Sequence, residues 1–154
     1  AGKTIPEDLV ERMNASRSFG RALWTQHQMF YASVSLNYYN QPPESVNLDL
    51  LMRKLQQRYS PYNYVDDTYF YASFGHLFGY SSIYYTYMWS LVIASDMFSE
   101  FKTHGLRDHE VARRYRETVL APGGSKDAAV LVEDFLGRPY NFEAFAEELN
   151  DTTL

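Results

Sequence analysis

The sequence predicts an all-α fold. Apolar residues recur at helical spacing in one segment after another, Ser, Asn, Asp and Pro stand where helices would start, and Gly or Pro stands where they would stop. No two alternating apolar runs are joined by a tight Gly-containing turn, so no hairpin is expected.

Pro6 followed by Glu7 and Asp8 makes a favourable first turn, because proline lacks the donor that would be orphaned there and acids complement the helix dipole. A short helix to about Asn14 follows. Ser16 is placed to cap a longer helix reaching Tyr38, with Phe19, Leu23, Phe30 and Val34 at near-helical spacing. Gln41-Pro42-Pro43 ends it and forms a linker. Asn47 then caps a third helix whose Leu48, Leu51, Met52, Leu55 and Tyr59 share one face, with Val46 placed to staple onto Leu51. Residues 60–74 are tyrosine-rich without a strand pattern and read as a packed irregular segment or short turns. The central helix is expected from about Ser81 to Thr103, apolar nearly all round and so enclosed on most sides, stopping at Gly105. Asp108 caps the next helix, with Val111, Tyr115 and Val119 on one face, until Pro122-Gly123-Gly124 breaks it. Ser125 is the expected cap of a helix carrying Ala128, Leu131 and Phe135, closed by Gly137 and Pro139. A last short helix follows Asn141 through Leu149.

At 154 residues the chain is expected to form a single helical domain spanning 1–154. Aromatic residues make up 17% and charged residues 21%, which excludes a disordered or coiled-coil composition. The net charge of −5, with basic residues scattered apart from Arg113-Arg114-Tyr115-Arg116, argues against nucleic acid as a partner. Without cysteine there is neither a disulfide framework nor thiolate chemistry. The longest apolar run, Ile83 to Phe98, is interrupted by Thr86, Ser90, Ser95 and Asp96 and falls short of the roughly 20 residues a bilayer span needs. It reads as a buried helix, and no membrane partner is expected. No basic segment followed by an apolar one precedes Ile5, and the chain opens on Ala1; the start reads as truncated, and the expected compartment is cytoplasmic.

Chemistry concentrates between His76 and Ser90. If the chain turns helical just after Gly79, then Tyr80, Tyr84 and Tyr87 fall at i, i+4 and i+7 and form one stripe, while Tyr85 lies about 100° away from Tyr84. Core packing alone explains such a stripe. His76, four residues ahead of Tyr80 across a short loop containing Gly79, is what points to a site, because an imidazole and several phenols could converge there on a polar reactant. A helical zinc site would need H-E-x-x-H or an equivalent pairing, and His27, His76, His104 and His109 supply none. No metal site is therefore expected within the chain. His27 reads as a core or interface histidine with one hydrogen bond, Arg113, Arg114 and Arg116 as a solvated face, Gly123-Gly124-Ser125 as a helix start, Trp24 and Trp89 as core, and Asp96 as paired.

Phe74-Gly75-His76-Leu77-Phe78-Gly79-Tyr80 with Tyr84-Tyr85-Thr86-Tyr87-Met88-Trp89-Ser90 resembles the C-terminal segment of the thimet-oligopeptidase family of zinc metallopeptidases, peptidase family M3. Leu120-Ala121-Pro122-Gly123-Gly124-Ser125-Lys126-Asp127 and Phe135-Leu136-Gly137-Arg138-Pro139 resemble its last two signature stretches in the same order, and Ile5-Pro6, Leu9 and Ser16-Arg17 through Arg21 fit the segment after its metal site. The likeness covers about residues 5 to 149. It implies the multi-helix C-terminal part of a neurolysin-like zincin catalytic domain. It also implies that zinc belongs to the complete enzyme and is held upstream of Ala1, with none bound by this chain. Tyr87 and Tyr80 would be catalytic donors to the oxyanion, and His76, Tyr84 and Gly79 would bind substrate.

The leading expectation is the substrate-channel portion of an oligopeptidase that cleaves short peptides, inactive by itself and partnered by the N-terminal part of the same enzyme. A severed apolar face would make self-association possible. The alternative is a non-catalytic helical module that binds a peptide or protein through a tyrosine-rich surface.

Overall fold

The computed structural model describes residues 2 and 4–150. Among them there are helices and turns but no strand, so the fold is all-α. The chain divides into two compact units, the first reaching to Met88 and the second beginning at Trp89.

The first unit opens with α1 (Glu7–Ser16), led in by Pro6. Ser16 terminates this helix rather than starting the next: its hydroxyl donates back to the Met13 carbonyl at 2.9 Å, and residues 17–20 turn until Gly20, at φ 72°, launches α2 (Arg21–Tyr39). A left-handed residue there favours glycine. After a 3₁₀ turn at Pro43–Ser45, the Asn47 side chain accepts from the Leu50 N–H at 2.9 Å and caps α3 (Leu48–Tyr59), as the sequence predicts. α2 packs on α3. Their interface is the core of the unit: Phe30, Ala32 and Val34 from α2 meet Met52 and Leu55 from α3, together with Phe74, Leu77 and Tyr84. Residues 60–69 are irregular backbone, bends and turns, as expected, but the end of the same expected loop forms the short helix α4 (Phe70–Ser73), which is followed by α5 (His76–Gly79).

The central helix begins later than the tyrosine spacing predicts. Residues 80–85 form turns, Ser82 takes φ 65°, and only at Thr86 does α6 (Thr86–His104) start. Distant side chains hold the turn in place: Ser35 Oγ donates to the Tyr80 carbonyl at 3.4 Å, and Tyr39 Oη donates to the Leu77 carbonyl at 2.6 Å, which the neighbouring Ser81 Oγ also reaches at 2.9 Å. Local spacing carries no trace of those partners.

The second unit contains the rest of α6, then α7 (His109–Tyr115), a π-helical turn at Arg116–Leu120, a 3₁₀ turn at Gly123–Ser125, α8 (Ala128–Leu136) and α9 (Glu143–Asn150). Asp108 caps α7 through the Glu110 and Val111 N–H groups, as predicted. Asp127, not Ser125, caps α8 by accepting from Ala129 N–H at 2.8 Å, and Gly137 closes it at φ 71°. α6 is enclosed on one side only: Val92, Ser95 and Asp96 are buried while Trp89 and Phe98 stay half exposed. Trp24 is half exposed too, so neither tryptophan is core. Asp96 is paired as expected, with Arg138. Arg114 departs from the solvated reading: it pairs with Glu100 and lies over the Phe135 ring at 5.0 Å, whereas Arg113 pairs with Glu110 at the surface.

Candidate functional site

His76 stands at the first residue of α5 and is surrounded by the three tyrosines that the sequence singles out. Its ring centroid lies 6.0 Å from that of Tyr80, 5.1 Å from Tyr84 and 5.9 Å from Tyr87, the last two edge-on at 83° and 84°. His76 Nε2 and Tyr87 Oη share a long hydrogen bond of 3.4 Å. A helical stripe is not what gathers these groups, because Tyr80 and Tyr84 precede the first residue of α6. The turn at residues 80–85 folds them back over α5 instead.

The three phenols differ in what their hydroxyls can do. Tyr84 is 8% exposed, and its hydroxyl donates to Gln28 Oε1 at 3.0 Å. Burial, followed by the neighbouring Tyr31 and Tyr87 phenols, pushes the Tyr84 hydroxyl above its ordinary range and keeps it protonated. Its ring, packed at 4.9 Å on Tyr87 and 5.3 Å on Phe74, fixes the neighbours. Tyr80 and Tyr87 are 51% and 48% exposed, so their hydroxyls are reachable. Gly79 has no left-handed φ, and a Cβ built on it meets no atom within 4 Å, so nothing among the described residues requires glycine there.

Beside these groups lies an open concavity of about 590 Å³, lined by His76, Gly79, Tyr80 and Tyr84 and walled on its other side by Tyr31, Phe70 and Phe74. Tyr87 is not part of the lining. The wall from α2 is the part that sequence reasoning misses. Gln28, Tyr31, Ser35 and Tyr39 each touch the site region, through bonds to Tyr84, Tyr80 and Leu77 or by lining the concavity. Their spacing of i, i+3, i+7 and i+11 is a polar stripe on one face of α2 and is the signal that could have found them. His27 is exposed and has the one hydrogen bond expected of it, 2.6 Å from Nε2 to Tyr31 Oη.

Among the described residues no group of three His, Cys, Asp or Glu side chains could hold a metal ion. Three histidines each have one ring nitrogen engaged otherwise: His76 Nε2 with Tyr87, His27 Nε2 with Tyr31, and His104 Nδ1–H donating to the Glu100 carbonyl. The described residues do not fit a zinc site.

The chain matches Peptidase family M3 over residues 1–151. It is similar to organellar oligopeptidase A, chloroplastic/mitochondrial, of Arabidopsis thaliana, at 33% identity over 89% of this chain and 18% of that protein. It is also similar to the mitochondrial intermediate peptidase of Arabidopsis thaliana, at 30% identity over 89% of this chain and 20% of that protein. A thimet-like oligopeptidase of Dictyostelium discoideum is 32% identical over 96% of this chain and 22% of that protein. The chain thus spans about a fifth of the length of these relatives.

Proposed function

The chain belongs to peptidase family M3, and on that premise we propose that it is the C-terminal, substrate-channel portion of a zinc-dependent oligopeptidase that hydrolyses short peptides. Residues 1–154 act in this reading as one helical piece of the catalytic domain. The rest of the same enzyme packs against it and holds the metal. The relatives, of which the chain spans about a fifth, support that division. No helix among the described residues is long and apolar enough to cross a membrane, and the relatives' names include mitochondrial, chloroplastic and cytosolic enzymes. The cytoplasm is the compartment proposed.

The observation that carries the reading is the convergence of one imidazole and two reachable phenol hydroxyls beside a concavity. When water adds to a peptide carbonyl, negative charge grows on the oxygen, and a fixed donor aimed there is worth roughly 2.7 to 4 kcal/mol where water is excluded. Phenols suit that task, because each carries one hydroxyl hydrogen to donate and packing holds its ring. Tyr87 and Tyr80 are the proposed catalytic donors. The His76 contact gives the Tyr87 hydroxyl a resting orientation from which it can turn to a carbonyl oxygen. His76, Gly79 and Tyr84 are the proposed substrate-binding residues: His76 by its ring and free hydrogen-bonding capacity, Gly79 by leaving space for a peptide backbone, and Tyr84 by its ring, since its hydroxyl donates to Gln28.

The test is hydrolysis of short quenched fluorescent peptides by the complete protein that carries this segment. Cleavage that a chelator abolishes, with folded proteins left intact, is the expected result. A folded, complete protein that binds such peptides and cleaves none would contradict the proposal and favour the non-catalytic binding module.

A further inference from the structure

Tyr31 is the centre of the ring cluster that walls the concavity, and the proposed hydrolysis makes no use of it. Its ring stacks on Phe70 at 5.4 Å and 19°, packs on Phe74 at 5.2 Å and meets Tyr84 edge-on at 5.5 Å. These neighbours hold it in one orientation with part of its surface turned to the concavity.

The lining carries no Asp, Glu, Lys or Arg side chain. Two of its hydroxyls are engaged within the fold, Ser73 donating to the Phe70 carbonyl at 2.9 Å and Tyr84 donating to Gln28. An ionic ligand would therefore lose water and meet no carboxylate, ammonium or guanidinium group in the lining, whereas a flat apolar group meets ring faces and edges at the separations that aromatic pairs favour. One polar feature sits at the edge of this wall: the Tyr31 hydroxyl, bonded at 2.6 Å to the exposed His27. A phenol oxygen has one hydrogen and two lone pairs, so this bond leaves capacity for the amide beside a bound side chain.

We propose that the concavity is a subsite for an aromatic side chain of a peptide, that Tyr31 determines its specificity, and that His27 positions the Tyr31 hydroxyl for the amide flanking that side chain. The identification of the ligand as a peptide rests on the oligopeptidase reading; the ring wall does not. The volume of about 590 Å³ lies within the range of small-ligand sites and leaves room for flanking backbone.

The experiment is an NMR titration of this chain with N-acetyl-phenylalaninamide, N-acetyl-alaninamide and toluene. The phenylalanine probe is expected to shift the ring resonances of Tyr31, Phe70 and Phe74 and to bind about tenfold more tightly than the alanine probe. Tyr31→Leu should abolish that preference, and Tyr31→Phe should keep most of it. His27→Ala should weaken the phenylalanine probe severalfold while leaving toluene unchanged, and His27→Gln, which retains a partner for the hydroxyl, should restore it. Equal binding of the two amides to the wild-type chain overturns the subsite, and this comparison requires no variant to fold. A His27→Ala effect as large on toluene as on the amide overturns the positioning role. In the complete enzyme, Tyr31→Leu should lower the preference for phenylalanine over alanine at one peptide position by about tenfold. An active enzyme whose segment shows no preference for the phenylalanine probe refutes the subsite and leaves the peptidase reading standing. An inactive complete protein whose segment shows the preference does the reverse.

Discussion

Asp96→Asn should destabilise the second unit by about 3 kcal/mol near neutral pH. The Asp96 carboxylate is 2% exposed and accepts from both terminal nitrogens of Arg138, at 2.8 and 2.7 Å, and from the Asn141 N–H at 2.9 Å. Asparagine keeps the shape, but its amide nitrogen faces a donor and its charge is gone. Breaking one side of a buried ion pair costs about 3–5 kcal/mol. The Arg138 side chain is 40% exposed and can rehydrate, which puts the loss at the low end of that range. Urea unfolding followed by circular dichroism measures it, and a 3 kcal/mol loss moves the midpoint by about 1 M or more. The pH dependence supplies a second readout. The Arg138 guanidinium, opposed by burial and aided by the Asn141 N–H, holds the Asp96 carboxyl below the usual carboxylate range. A carboxyl lowered in this way contributes stability that is present above its unfolded pKa of about 3.9 and is lost as pH falls through the folded value. The gap between wild type and variant should therefore be full near pH ~7 and close below about pH 4. A gap under about 1 kcal/mol at neutral pH, or one that acid leaves unchanged, would refute the reasoning.

Tyr84→Phe removes a buried hydroxyl and leaves Gln28 Oε1 without that donor, so it should cost about 1 kcal/mol in urea unfolding while changing peptidase kcat less than about threefold; a collapse of kcat would show that the hydroxyl turns to substrate. Asn47→Ala removes the acceptor for the Leu50 N–H and should destabilise α3 by about 1 kcal/mol, with Asn47→Asp near neutral; equal losses in the two variants would show that the cap is not the cause. Metal analysis of the purified chain should find less than one equivalent of zinc, because its described residues hold no ligand set; a bound equivalent with chelator-sensitive cleavage would end the division of labour proposed above.

The parts of the fold legible in the sequence are those decided within one turn of chain. Asn47 and Asp108 cap helices because their side chains reach N–H groups two or three residues on, and Gly105 and Gly137 close helices at positive φ, a property of single residues. Ser16 and Ser125 mislead because a better residue stands nearby: Gly20 permits the left-handed entry into α2, and Asp127 is the stronger acceptor. The late start of α6 lies beyond local pattern. Ser35 and Tyr39, some forty positions upstream, anchor the turn that keeps residues 80–85 out of the helix. The same holds for the site. The proximity of His76 to the tyrosines follows from their closeness in sequence, but the α2 wall meets them across separations as large as 56 residues, as in the bond from Tyr84 to Gln28.

The most direct test of the proposed chemistry is the steady-state kinetics of Tyr87→Phe in the complete enzyme, with Tyr85→Phe as the internal control. Both replacements keep the ring, and both residues are about half exposed, so neither should unfold the protein. If the Tyr87 hydroxyl donates to the developing oxyanion, kcat falls by roughly 10² to 10³ with KM little changed, while Tyr85→Phe stays near wild type. Full activity in Tyr87→Phe, or the same small loss in both variants, would contradict the assignment of this site to catalysis.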